Sequence, residues 1–223
     1  MTARRLLVWM TLASIVLLAG CAVKAPLYNY AAFQQAKVAT LLVMPPVNDS
    51  PDIKATPAVW ASATRPLAEA GYYVLPVTLV DETFKQNGVN TANDAADIPY
   101  PKLHEFFGAD AAVYLKVKKY GTSYAVLASE TRVEVEARLI DLRSGVLLWE
   151  GKAMASSSEQ QQTGGGLVGM LVTAAVKQIA SNLSDSAFIY AAVADQRLLG
   201  APSYNGVLWG PRSPLSGQPP AVR

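Results

Sequence analysis

Residues 130–151 read ETRVEVEARLIDLRSGVLLWEG. Within them Val133, Val135, Ala137 and Leu139 alternate with Arg132, Glu134, Glu136 and Arg138. Successive side chains of a strand point to opposite faces, so this period of two separates an apolar face from a charged one. Charges of both signs interleaved in this way mark an antiparallel strand that is buried on one side and wet on the other. Asp141-Leu142-Arg143-Ser144-Gly145 then supplies turn residues, and VLLWEGKAMA returns as the hairpin partner.

Upstream, Ala111 to Tyr120 (AAVYLKVKKY) is another strand, with Val113, Leu115 and Val117 alternating with Tyr114, Lys116 and Lys118. Val38 to Val43 is a short apolar run closed by Met44-Pro45-Pro46, and reads as a buried strand. Tyr72 to Val77 is a further strand. Between these two strands, Thr56 offers a helix cap with Pro57 in the first turn, and Gly71 is the stop. Pro66 inside that helix predicts a kink or a break, because proline lacks the N–H the ladder needs. Thr78 to Asn87 is a short helix, VNTANDAADIPYP a polar connection, and Lys102 to Phe107 a third helical piece. The order β-α-β-α-β followed by an antiparallel hairpin predicts an α/β domain: a mixed sheet of about five strands with flanking helices.

Downstream, Ser156 to Gly166 is a polar, flexible linker, and Leu167 to about Ala194 has the spacing of a long C-terminal helix. Prolines and glycines make the last segment irregular, with Leu208 and Trp209 as residues that pin it to the body. The expected organisation is a signal peptide over residues 1–20 and a lipid-anchored tether over 21–37. An α/β domain with its C-terminal helix follows over 38–197, and an irregular tail over 198–223. Tyr28, Tyr30 and Phe33 suggest that part of the tether packs.

The targeting reading rests on MTARRLLVWMTLASIVLLAGC, residues 1–21. Arg4 and Arg5 form a basic start, and Leu6 to Leu18 an apolar run too short to span a bilayer comfortably. Leu18-Ala19-Gly20-Cys21 resembles the lipobox of bacterial lipoproteins. That resemblance implies lipid attachment at Cys21, cleavage before it, and anchorage in a membrane. Several acyl chains give lasting attachment where one would be marginal. Cys21 is the only cysteine, so its acylation leaves no disulfide and no thiolate metal site.

Composition narrows the function further. Nineteen Lys and Arg face 17 Asp and Glu, and without Arg4 and Arg5 the remainder is balanced. A neutral body argues against nucleic acid and against electrostatic docking on anionic lipid. GGGLVG (164–169) fits GxGxxG in form, but a polar stretch separates it from the hairpin, so a flexible lead into a helix is the better reading. Gly165 and Gly169 also stand at GxxxG spacing, which leaves open a homodimer formed through that helix. His104 is the only histidine and has no second metal ligand nearby; it reads as a surface or packing residue. Asp81-Glu82 reads as compensation of a helix N-terminus rather than an acid/base pair. No GxSxG elbow is present, so no catalytic residue, metal or cofactor is expected.

One positional candidate remains. Ligand surfaces of open α/β sheets form beyond the carboxyl ends of the parallel strands. Here those ends hold Asn48, Asp49 and Ser50, then Asp81 and Glu82, then Tyr120 and Thr122. They are the expected surface for a partner; the alternative is a binder of a small ligand or a peptidoglycan fragment, or an uncharacterised enzyme, that uses the same surface.

LLVMPPVNDSPDIKAT, TRPLAEAGYYVLPVTLVDETFKQNG, FGADAAVYLKVKKYGTSY, the 130–151 stretch and NGVLWGPRSP together resemble a bacterial lipoprotein family of unassigned function that includes a genome-derived neisserial antigen. The resemblance implies a fold similar to the amino-terminal domain of TolB, to the curli-secretion lipoprotein CsgG and to auxiliary lipoproteins of ABC-type transport. It implies an accessory of envelope transport or assembly, with other envelope proteins such as a CsgG-like lipoprotein as partners. It brings no catalytic residues. Sorting retains lipoproteins with aspartate after the acylated cysteine at the inner membrane. Ala22 stands there, which implies the outer membrane, periplasmic face.

Overall fold

The computed structural model describes residues 28–124, 129–159 and 186–218. Cys21, the GGGLVG stretch and the first part of the expected C-terminal helix lie outside them. The hairpin is present as β5 (Ser129–Asp141) and β6 (Leu147–Ser156). Val133, Val135, Ala137 and Leu139 are each at most 2% exposed, while Glu136 and Arg138 face solvent. Asp141 Oδ1 accepts from the Arg143 and Ser144 backbone N–H groups and from the Ser144 hydroxyl, which closes the turn.

β1 (Thr40–Val43), β2 (Val47–Asn48), β3 (Tyr73–Val74) and β4 (Ala111–Tyr124) complete a six-stranded sheet. Its order is β3-β1-β4-β5-β6, with β2 also paired to β4. β1 runs parallel to β3 and β4, β2 runs parallel to β4, and the β4-β5-β6 part is antiparallel. The mixed α/β fold is therefore the one the sequence predicts, with the two-residue β2 as the unforeseen sixth strand.

The helices are α1 (Ala31–Ala36), α2 (Ala55–Glu69), α3 (Val77–Gln86), α4 (Ala92–Ala96), α5 (Tyr100–Phe107) and α6 (Ser186–Leu199). α2 and α6 pack on each other and on one face of the sheet. Leu67 and Leu199 meet Val113, Leu139 and Trp149 there. On the other face, Tyr100 at the start of α5 sets its ring edge-on to Tyr114, 6.0 Å between centroids. Phe84 of α3 packs on Phe107 of α5 in the same way, at 5.3 Å.

Five local expectations change. Thr56 does not cap α2; it lies one residue inside, and its hydroxyl donates to the Pro46 carbonyl. α2 also continues through Pro66 to Glu69 without breaking into two pieces. Pro66 falls in the last turn, where its missing N–H costs one bond and its ring is buried. The second strand shrinks to two residues because Val77 already opens α3, and the polar connection contains α4, capped by Thr91, whose hydroxyl accepts from the Asp94 N–H. Finally, β4 runs to Tyr124, with a bulge between Val117 and Lys119 that reverses which side chains face inward.

Both ends of the described body are tied to one corner. The Tyr28 N–H donates to Asn205 Oδ1, the Tyr30 hydroxyl to the Gly206 carbonyl, and the Trp149 indole to the Asn205 carbonyl. Beyond that corner the tail crosses the end of α2 backbone to backbone. Gly210 N–H bonds Ala70 O and Arg212 N–H bonds Gly71 O. A Cβ on Gly210 would stand 2.5 Å from Gly71 O, and one on Gly71 2.5 Å from Ser213 N, so this crossing needs both glycines.

Between α2 and α6 lies one buried carboxyl. Asp195 is fully buried; its Oδ2 accepts from the Ser62 hydroxyl, and its Oδ1 has no partner among the described residues. Burial pushes it up to about 8, against the smaller opposing effect of the Ser62 hydrogen bond.

Candidate functional site

The side of β4, β5 and β6 turned away from α2 and α6 is built by the alternation itself. β4 contributes Tyr114 and Lys116, β5 contributes Glu136 and Arg138, and β6 contributes Glu150 and Lys152. The register sets them in two rows: Tyr114, Arg138 and Glu150 across one, Lys116, Glu136 and Lys152 across the next. Pro45 and Val47 bound this surface on one side and Ala96 of α4 adds to its lining, leaving a groove of about 700 Å³. That volume lies within the usual range of binding clefts.

Tyr114, partly buried, forms the floor of the groove. Its hydroxyl is shielded from solvent and has no hydrogen-bond partner among the described residues. Burial raises its pKa, Tyr100 adds to the rise, and the neighbouring Arg138 opposes it, so the phenol stays a neutral donor. Arg138, Glu136 and Lys152 are exposed and, among the described residues, form no ion pair across the strands.

The β2 loop beside the groove is more self-contained. Asn48 donates through Nδ2 to the Asp52 carbonyl, and its Oδ1 accepts from both the N–H and the hydroxyl of Ser50. Asp49 pairs with Lys118 at 2.6 Å and with Lys116 at 3.3 Å. The Lys118 hydrogen bond, reinforced by Lys116, holds the Asp49 carboxyl below its ordinary range. Asn48, Asp49 and Ser50 thus come together next to the groove, as a braced rim.

The remaining residues expected at the strand ends are placed elsewhere. Asp81 pairs with Lys85, and Glu82 accepts from Gln86, each within α3 and on its exposed side. Neither lies in the first turn, so dipole compensation is not their role. Tyr120 is only 6% exposed, because the bulge before it turns its ring inward. Thr122 shares a hydrogen bond with Thr131 across β4 and β5. His104 Nδ1 is bonded to the Ala109 carbonyl, where it helps close the end of α5. No group of three His, Cys, Asp or Glu side chains suited to a metal occurs among the described residues, and none of their helices is long and apolar enough to cross a membrane.

Sequence reading missed Tyr114, Glu150 and Lys152 as groove residues, and took Glu136 and Arg138 only as a wet strand face. The available signal was the charged half of the 132–138 alternation together with Tyr114 and Lys116 on the neighbouring strand.

The same architecture occurs in known proteins. The crystal structure of lipoprotein GNA1162 from Neisseria meningitidis is 48% identical, covers 65% of this chain and 99% of its own, and superposes with a TM-score of 0.52. The putative lipoprotein NMB1124/NMB1162 of Neisseria meningitidis serogroup B is 46% identical over 202 residues, 90% of this chain and 94% of that one. The family profile described as "Putative lipoprotein GNA1162-like" matches residues 28–212, which takes in the whole span from the buried Tyr30 to the tail crossing at Arg212. On fold and sequence together, the chain belongs to the GNA1162-like lipoprotein family.

Proposed function

We propose that this chain is a non-enzymatic lipoprotein of the bacterial outer membrane, acylated at Cys21, that serves envelope transport or assembly by contacting other envelope proteins. The observation that carries the reading is the open face of β4–β6, where charged side chains of both signs line a groove and several form no ion pair among the described residues. Such a surface suits recognition, since charges of both signs fix register and reject wrong partners more than they add affinity. Family membership and the Leu18-Ala19-Gly20-Cys21 motif support the membrane attachment, and Ala22 supports the outer membrane. The competing small-ligand reading at the strand ends loses force, because Asn48 is bonded to Asp52, Asp49 to Lys118, Asp81 to Lys85 and Glu82 to Gln86.

Two measurements test this. Crosslinking in intact cells followed by capture through an affinity tag, with Cys21 present, returns a defined envelope complex; recovery of monomer alone from gentle detergent overturns the reading. Cys21→Ala gives uncleaved or soluble protein, and unchanged membrane partition with a normally processed amino terminus sinks the lipid attachment.

A further inference from the structure

We infer that the groove takes an extended segment of a partner polypeptide in which a basic and an acidic side chain stand two residues apart. This deepens the reading above and rests on it.

Several charges in the groove stand opposite a countercharge. Arg138 stands directly opposite Glu150, and Glu136 directly opposite both Lys116 and Lys152. Opposite charges in such positions ordinarily pair. Elsewhere on these strands they do: Lys119 reaches Glu134 at 4.0 Å, and Lys116 and Lys118 turn to Asp49. Within the groove, no ion pair joins Arg138 to Glu150 or Glu136 to Lys116 or Lys152 among the described residues. The Tyr114 hydroxyl below them is a shielded donor with no acceptor among the described residues.

The spacing then defines the occupant. Along β5 the sign alternates from Glu136 to Arg138, and along β6 from Glu150 to Lys152. Side chains two residues apart on a strand are separated by about 6.5–7 Å. An extended segment lying over β5 and β6 presents its own i and i+2 side chains at that same separation. A basic residue over Glu136 and an acidic one over Arg138 satisfy both, and the acidic group is then the acceptor nearest Tyr114. Like charges at i and i+2 would meet one repulsion for each attraction.

The segment lies on the face and does not add a strand. The β6 edge is already obstructed: Arg197 Nη1 donates to the Met154 carbonyl, and the Tyr28 phenol lies against the Glu150 backbone N–H. An edge so covered offers no row of free backbone groups to a peptide.

The test uses the chain from Tyr28 onward attached through its natural Cys21 segment, and four blocked pentapeptides: acetyl-Ala-Lys-Ala-Glu-Ala-amide and its Lys/Lys, Glu/Glu and Gln/Gln counterparts. Fluorescence anisotropy at low salt should show the mixed-charge peptide binding at least about tenfold more tightly than the other three, a difference of about 1.4 kcal/mol. The preference should shrink on adding salt. Arg138→Glu should remove it, and Arg138→Glu with Glu150→Arg should restore part of it. Both positions are exposed, and an unchanged melting temperature certifies the fold of each variant. Equal affinity for the four peptides, or a preference that survives Arg138→Glu, overturns the inference. If Arg138→Glu leaves the crosslinked envelope complex intact, the accessory reading stands and the groove is not where the partner sits. If no complex forms with the unaltered chain, the accessory reading itself fails.

Discussion

The two faces of β4, β5 and β6 are made by the same strands in the same register, yet they have opposite fates. On one, Val113, Leu139 and Trp149 are closed over by Leu67 and Leu199. On the other, one residue along, Arg138, Glu136 and Lys152 stay in solvent. Apolar area removed from water stabilises the fold by roughly 25 cal/mol per Å², whereas exposed charges contribute little either way. The packed face therefore sets stability, and the open face is left available for specificity.

The sharpest way to break that contrast is from the packed side. Trp149 is 2% exposed and its indole donates to the Asn205 carbonyl, so Trp149→Ala should cost about 3–5 kcal/mol, read as a lowered urea midpoint. A loss comparable to a surface substitution would mean that the face repacks freely.

A smaller effect is expected at the buried carboxyl within the packed side. Asp195 has its folded pKa raised from 3.8 to about 8 by burial between α2 and α6. The native state therefore holds the proton more tightly than the unfolded chain. Its contribution is complete below the unfolded value and declines as pH rises toward the folded one. Stability of the unaltered protein should fall by on the order of 1–3 kcal/mol between about pH 5 and pH 8, and Asp195→Asn should flatten that slope. Parallel pH profiles for the two proteins would refute the assignment.

The open face should give the smallest change. Glu136→Gln should move the unfolding free energy by no more than about 0.5 kcal/mol, because its carboxylate is exposed and forms no ion pair among the described residues. A cost of 2 kcal/mol or more would show that the groove charges hold the sheet together and would dissolve the distinction between the faces.

These contrasts also explain what could be read in advance. β5 and its hairpin partner are legible because alternation over eight residues is a local signal, repeated and unambiguous. The α/β order is legible because each helix and strand is bounded by Gly, Pro or a turn cluster. The inward turn of Tyr120 is not, since a bulge inserts one residue into the pairing without leaving a mark in composition. Asp195 is equally silent: a single aspartate in AAVADQR looks solvated until α2 is known to bring Ser62 against it. The groove falls between these cases. Its charged residues are visible in the alternation, but their enclosure depends on where Pro45, Val47 and Ala96 come to rest, which is a matter of tertiary arrangement.

The corner where Tyr28 meets Asn205 has a bearing on reach. The sequence alone allowed an anchored leash of sixteen residues, about 50 Å when extended. With Tyr30 and Phe33 built into the body, the chain between Cys21 and Tyr28 can span at most about 25 Å. Tyr28 also abuts Glu150 on the rim of the groove. A body lipidated at Cys21 would thus sample only a thin layer next to the bilayer, with the groove's β6 rim beside its pivot. Only partners that project from the membrane, or are delivered to its surface, would come within range.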